Sequence, residues 1–282
     1  MTPKKTIHPA LLLVITALLW SMGGAFIKSV TWNPLAIAGA RSAIAAVYLY
    51  LVLGRPRIRL SWPLFGAAMS LAVTMILFVT ATRLTTAANA VFLQYLAPVF
   101  VAVLAPRFLG EPTFRRDWIA MAVAFSGMLL FFWGEMSATG QLGNALALCS
   151  SLTFAGLPLF LRKMKGGNQA EALLLGNIIA AACCLPFYFQ GPYPDAQGVG
   201  ALLVLGVVQI GVAYQIYAKA IPHMRAIEAS LIPVIEPILN PLWVFLFIGE
   251  RPSPLALVGG LIVVGAATMQ GVMAARFRPG KP

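Results

Sequence analysis

Charge is scarce in this chain. Of its 282 residues only 10% are Asp, Glu, Lys or Arg, and only eight are acidic. Soluble domains carry about 25% charged residues, so a water-exposed globular surface is excluded. Histidine is nearly absent, His8 and His223 being the two, and both sit near the ends of apolar segments. No metal-ligand set, Ser-His-acid pattern or Walker-type loop accompanies them. No metal and no cofactor are therefore expected, catalysis is not expected, and nothing points to ATP as an energy source. The three cysteines, Cys149, Cys183 and Cys184, lack zinc-like or redox-like spacing. They read as buried, inert thiols.

What fills the chain is apolar: 60% of residues are hydrophobic and the mean hydropathy is +0.86. A helix needs about 20 mostly apolar residues to cross a bilayer. Ten such segments run over residues 9–30, 34–54, 62–82, 87–109, 115–134, 141–162, 169–190, 196–219, 225–248 and 253–274. They leave no room for a soluble domain. The first follows Lys4 and Lys5 but is long enough to span and has no convincing cleavage site, so it reads as a retained helix.

The net charge of +12 raises nucleic acid as a partner, and its placement excludes it. With the N-terminus in the cytoplasm and sides alternating, the inside loops and tails hold 16 of the 20 basic residues. Arg55, Arg57 and Arg59 lie between segments 2 and 3, for example, and Arg162, Lys163 and Lys165 between 6 and 7. This is the positive-inside bias. It places both termini in the cytoplasm and leaves the lipid bilayer as the charged partner.

The chain repeats itself. "QYLAPVFVAVLAPRFLGE" (94–111) and "PVIEPILNPLWVFLFIGE" (233–250) each end an apolar run, and an offset of 139 matches Pro98 with Pro237, Gly110 with Gly249 and Glu111 with Glu250. The unit is five segments, so residues 1–140 and 141–282 form two halves. An odd number of spans reverses the second half. The expected fold is all-α and integral to the membrane: ten transmembrane helices as two inverted five-helix repeats around a central cavity. Such pairs are a common transporter construction, with the substrate site near the midplane between the halves.

"LLWSMGGAFIK" (18–28), "LAPVFVAVLAPRFLGE" (96–111) and "IEPILNPLWVFLFIGE" (235–250) resemble the drug/metabolite transporter superfamily, in its EamA-type branch. The resemblance spans nearly the whole chain. It implies a central cavity lined by both halves, with helices 3, 4, 8 and 9 prominent, and the export of metabolites. The length and the "LLWS" opening are similar to those of aromatic amino acid exporters in that branch. Small multidrug transporters rely on a glutamate inside helix 1, and this helix 1 has none.

Segment 9 carries the one acid deep in an apolar run, Glu236, among Pro233, Pro237 and Pro241. Ser230, Pro233, Glu236/Pro237 and Asn240/Pro241 recur at three- and four-residue steps and form one helical stripe. Each interior proline removes a hydrogen-bond donor, releasing the carbonyls of Ala229, Pro233 and Pro237. Such backbone persists at membrane depth only where protein or cavity water satisfies it. An intramembrane acid is by default functional: Glu236 binds a substrate amine, carries a proton, or serves as a family-wide structural acid. Its repeat mate is Ala97.

The other candidate cavity residues are Trp20 on helix 1, Thr74 and Phe78 on helix 3, Gln94 and Tyr95 on helix 4, Phe154 on helix 6, and Gln209, Tyr214 and Tyr217 on helix 8. Pro98 bends helix 4 as the prolines bend helix 9. Together they describe aromatic walls with a few orienting polar groups, suited to a small amphipathic solute. Arg41, on helix 2, reads as a structural partner for an acid or a charge at the outer mouth. Gly127, Gly259, Gly260 and Gly265 permit close helix packing; a monomer is expected, with a dimer as the alternative they allow. The functional expectation is a secondary exporter of small metabolites, amino acids including aromatic ones, working by alternating access. The alternatives are efflux of other amphipathic or cationic compounds, or transport of a lipid-linked sugar. An integral-membrane enzyme lacks its reactive groups.

Overall fold

The computed structural model of the chain describes residues 8–133, 139–164, 167–239 and 253–276. Every regular element among them is helical. The helices follow the sequence segments in order: α1 (Pro9–Ser29), α2 (Pro34–Leu53), α3 (Trp62–Leu84), α4 (Ala88–Leu109), α5 (Arg115–Phe131), α6 (Gln141–Lys163), α7 (Gln169–Cys183), α8 (Ala196–His223), α9 from Ala226, and α10 (Pro254–Arg276). Seven of them are 20–28 residues long and apolar enough to cross a membrane. The second half of α9 lies outside the described residues, and with it Asn240, Pro241 and the Gly249–Glu250 turn.

The boundaries have local causes. Asn33 Oδ1 accepts from Leu35 N at 2.9 Å and Pro34 opens α2; the proline has no N–H to leave unpaired there. Ser61 and Pro63 do the same for α3. Gly54 ends α2 at φ +68° and Gly110 ends α4 at φ +71°, a left-handed backbone that glycine adopts without a Cβ clash.

Each long helix turns one side to its neighbours and one outward. Leu51, Phe65, Leu142, Leu257 and Leu261 are exposed, as lipid-facing side chains must be. Trp62, Trp118 and Trp133 are exposed at helix ends, where indoles anchor at the membrane interface. Inside are two main apolar clusters. One joins Leu13, Leu49, Leu71, Leu161, Leu173 and Ile210 from both halves. The other joins Val101, Met121, Met128, Ile227 and Val263. The cysteines depart from expectation: Cys184 is buried, but Cys149 and Cys183 are exposed on the outside of the bundle. They lie within spans but on faces turned away from the core.

Helices α5 and α10 meet through glycine. A Cβ on Gly259 would lie 2.4 Å from the Gly127 carbonyl oxygen and 2.5 Å from Phe131 N. Gly265 has open space beside it. Gly259→Ala is therefore expected to lower stability by about 1–3 kcal/mol, the usual cost of overpacking. Gly265→Ala should leave it unchanged. Thermal unfolding in detergent separates the two; equal midpoints would contradict this packing.

Candidate functional site

Three spans are interrupted. Helix α1 breaks at Ser21–Met22, α4 at Tyr95–Leu96, and α9 passes through a 3₁₀ stretch at Ile232–Ile235. The sequence causes are on the page. Met22 is followed by two glycines. Pro98 cannot donate to the Gln94 carbonyl, and Pro233 and Pro237 cannot donate to those of Ala229 and Pro233. A fourth irregularity is a π-helical stretch in α8, Val204–Val212, the kind of widened turn often found at functional sites.

The freed carbonyls of α9 are taken by two tyrosines. Tyr217 Oη donates to Ala229 O at 3.4 Å, and Tyr95 Oη lies 3.1 Å from Pro233 O. Pro233 O also accepts from Glu236 N across the 3₁₀ turn. Tyr95 Oη is in addition hydrogen-bonded to Glu236 Oε2. The phenol has one proton to give. With Glu236 protonated, all three groups are satisfied at once: the carboxylic acid donates to Tyr95, and Tyr95 donates to Pro233. In α1, Gln209 Nε2 approaches the Trp20 carbonyl at 3.5 Å, and a Cβ on Gly23 would be 2.9 Å from that nitrogen.

These irregular segments close on one cavity of about 30 Å³, room for about one water and far below the roughly 300–1,000 Å³ typical of occupied small-molecule sites. The first half contributes Trp20, Arg41, Thr74, Met75, Phe78 and Gln94. The second contributes Phe154, Gln209, Tyr214 and Glu236. Seven of these ten side chains are buried, so the cavity is largely closed in this conformation. Trp20 is its hub, with ring centroids 4.8 Å from Tyr214, 5.3 Å from Tyr217 and 5.8 Å from Phe154. Polar lining groups are held from behind. Thr74 Oγ1 bonds Thr153 Oγ1 at 2.8 Å, and Gln94 Nε2 donates to Ser150 Oγ at 2.9 Å.

Of the residues singled out in the sequence, Trp20, Thr74, Phe78, Gln94, Phe154, Gln209, Tyr214 and Glu236 line this cavity. Tyr95 and Tyr217 stand behind the wall, as partners of α9. Asn240 and Pro241 lie outside the described residues. Arg41 and Met75 are additions. Arg41 was expected to pair with an acid or to sit at the outer mouth. Instead its side chain is 1% exposed, lines the cavity, and pairs with no acid among the described residues. The signal available was a lone arginine among small residues, "IAGARSAIAA", in a spanning segment; an ionisable group there is a functional candidate by default.

A larger groove at the basic end is lined by Arg55, Arg57, Arg59 and Lys163. It opens to the surface, and its arginines are those of the loop between α2 and α3. The same end holds a polar network that ties the halves together. Glu111, next to the Gly110 turn, accepts from Arg162 Nε at 2.8 Å and from Ala226 N, at the start of α9, at 2.7 Å. Asp117, fully buried, accepts from both terminal nitrogens of Arg225 at 3.0 and 3.1 Å and from Gln270 Nε2 at 2.9 Å. Arg225 also pairs with Glu228 at 2.7 Å. Burial alone would lower the Arg225 pKa, but its bonds to Asp117 and Glu228 hold it above the usual value.

A helical bundle this apolar, with broken spans from both halves closing on a polar cavity, defines a polytopic membrane transporter. The EamA-like transporter family matches residues 8–133 and again residues 141–270, and the chain belongs to that family. It is 25% identical over 267 residues to the pseudopaline exporter CntI of Pseudomonas aeruginosa, covering 91% of this chain and 93% of that one. It is 25% identical over 224 residues to the threonine/homoserine exporter RhtA of Escherichia coli, covering 76% and 72%. A solved crystal structure shares the fold with TM-score 0.79 at 17% identity, over 96% of this chain and 99% of that one.

Proposed function

We propose that this protein is a secondary transporter that exports small metabolites, chiefly amino acids with aromatic ones among them, by alternating access. The observation that carries this reading is the largely closed cavity walled by both halves, aromatic on its sides and polar at Arg41, Gln94, Gln209 and Glu236. Aromatic faces suit an apolar side chain, and the few polar groups orient a charged backbone. The similarity to a threonine/homoserine exporter supports amino acids as the class. Rocking of one half against the other would break the Glu111–Arg162 and Asp117–Arg225 ties and open the cavity at the basic end. The positive-inside bias puts that end, and both termini, in the cytoplasm, and in a bacterial cell the membrane would be the inner one. One chain supplies the whole cavity, so a monomer suffices. The substrate crosses without covalent change, and no enzymatic step is assigned.

The test is counterflow in proteoliposomes loaded with amino acids, organic cations or nucleotide sugars in turn. Saturable exchange of at least one amino acid, with aromatic members among the best, is the expected result. Exchange of cations or nucleotide sugars with no amino acid exchanged would overturn it.

A further inference from the structure

Four buried atoms of the cavity lining have no hydrogen-bond partner: Arg41 Nε, Arg41 Nη1, Trp20 Nε1 and Gln209 Oε1. Three are donors and one is an acceptor. The remaining Arg41 nitrogen, Nη2, meets only the Met75 sulfur, at 3.1 Å. A buried guanidinium without a counter-charge is costly, and native proteins seldom leave such donors unmet. Glu236, the acid of the same cavity, is engaged by Tyr95. Among the described residues, the wall of this cavity therefore holds a guanidinium and an indole N–H whose buried donors are unmet.

We infer that Arg41, with Trp20 Nε1, is the binding site for the substrate's carboxylate, so that the cavity selects α-amino acids over the corresponding amines and amides. This rests on the cavity being the transport site. A guanidinium presents donors in a planar fork that matches a carboxylate bidentately. Glu236 and Gln209 Oε1 remain to accept from the ammonium group, and a proton held on Glu236 passes to water while the cavity is open to one side. An arginine and an ionised glutamate then balance a zwitterion, charge for charge. Arg41 stands on α2 and Glu236 on α9, so a bound amino acid bridges the two halves. An amine without a carboxylate leaves the Arg41 donors unmet, and a site built to hydrogen-bond a group rejects analogues that lack it.

The experiment measures thermal stabilisation of purified protein by L-phenylalanine, L-phenylalaninamide, 3-phenylpropionate and phenethylamine, alongside phenylalanine counterflow. Both carboxylates should stabilise the wild type, and the amide and amine should be at least tenfold weaker. Arg41→Gln should abolish that preference. Arg41→Lys should keep it at reduced affinity. Trp20→Phe, which preserves an aromatic ring and removes the N–H, should weaken the carboxylates several-fold and leave the amide unchanged. Should Arg41→Gln not fold, the lysine and Trp20 variants carry the comparison. Amide and acid binding equally, an unchanged preference in Arg41→Gln or in Trp20→Phe, or no stabilisation by either carboxylate would each overturn the inference. Equal binding with phenylalanine counterflow intact would leave the transporter standing. Stabilisation by 3-phenylpropionate without exchange of any amino acid would keep the Arg41 site and sink the amino acid reading.

Discussion

Glu236→Gln should lose phenylalanine affinity by a factor from about thirty to a few thousand. Truncating one partner of a buried charge pair costs about 2–5 kcal/mol, and each 1.4 kcal/mol is about tenfold. Glutamine keeps the shape and can still hydrogen-bond Tyr95, so the fold should survive and the loss should appear as KM. The variant cannot release a proton, so its residual exchange should ignore an imposed pH gradient that alters the wild-type rate. Tyr95→Phe offers a second view of the same chain of groups. It leaves Pro233 O without its phenol and Glu236 without its partner, and should weaken transport less than loss of the acid. Wild-type transport that ignores the proton gradient, with Glu236→Gln fully active, would reject a substrate or proton role for Glu236 and leave it a structural acid.

Asp117→Ala should destabilise the protein by about 3–5 kcal/mol, the usual cost of removing one partner from a buried ion pair. The cause is visible in its four hydrogen bonds. They come from Phe114 N at 2.9 Å, from Arg225 twice and from Gln270. Removing the carboxylate frees the start of α5, leaves Arg225 with Glu228 as its one remaining acid among the described residues, and leaves the buried Gln270 amide nitrogen without its acceptor. Arg59→Ala, an exposed arginine on the loop between α2 and α3, should stay within about 0.5 kcal/mol. Unfolding midpoints in detergent compare them directly. An Asp117→Ala midpoint matching that of Arg59→Ala would show that the network contributes nothing to the closed state.

Much of this was legible in the sequence. Span limits follow from runs of apolar residues long enough to cross a bilayer. The interruptions of α4 and α9 follow from prolines, whose missing N–H is a local fact. The pairing of Tyr95 with Glu236 was not legible, because periodicity places a residue on a face and does not name what lies opposite. Arg41 was misplaced for the same reason. Its depth could be counted along the helix, but its direction depends on α8, which packs so closely that a Cβ on Gly206 would lie 2.5 Å from Ile44. The π stretch in α8 has no residue signature of its own. The asymmetry between Glu236 and Ala97 was visible early and now has a partner. The acid of the second half meets the phenol of the first, so the halves complement one another at the point where they meet.

The central claim is that both halves enclose one transport cavity that opens to each side in turn. Substrate protection of an introduced thiol tests it most directly. Gln209→Cys is made in a chain lacking Cys149, Cys183 and Cys184, reconstituted, and treated with a membrane-impermeant thiol reagent from either face. The account predicts labelling from both faces and protection from both by the transported amino acid. Labelling from one face alone, or labelling that substrate leaves unchanged, would contradict it.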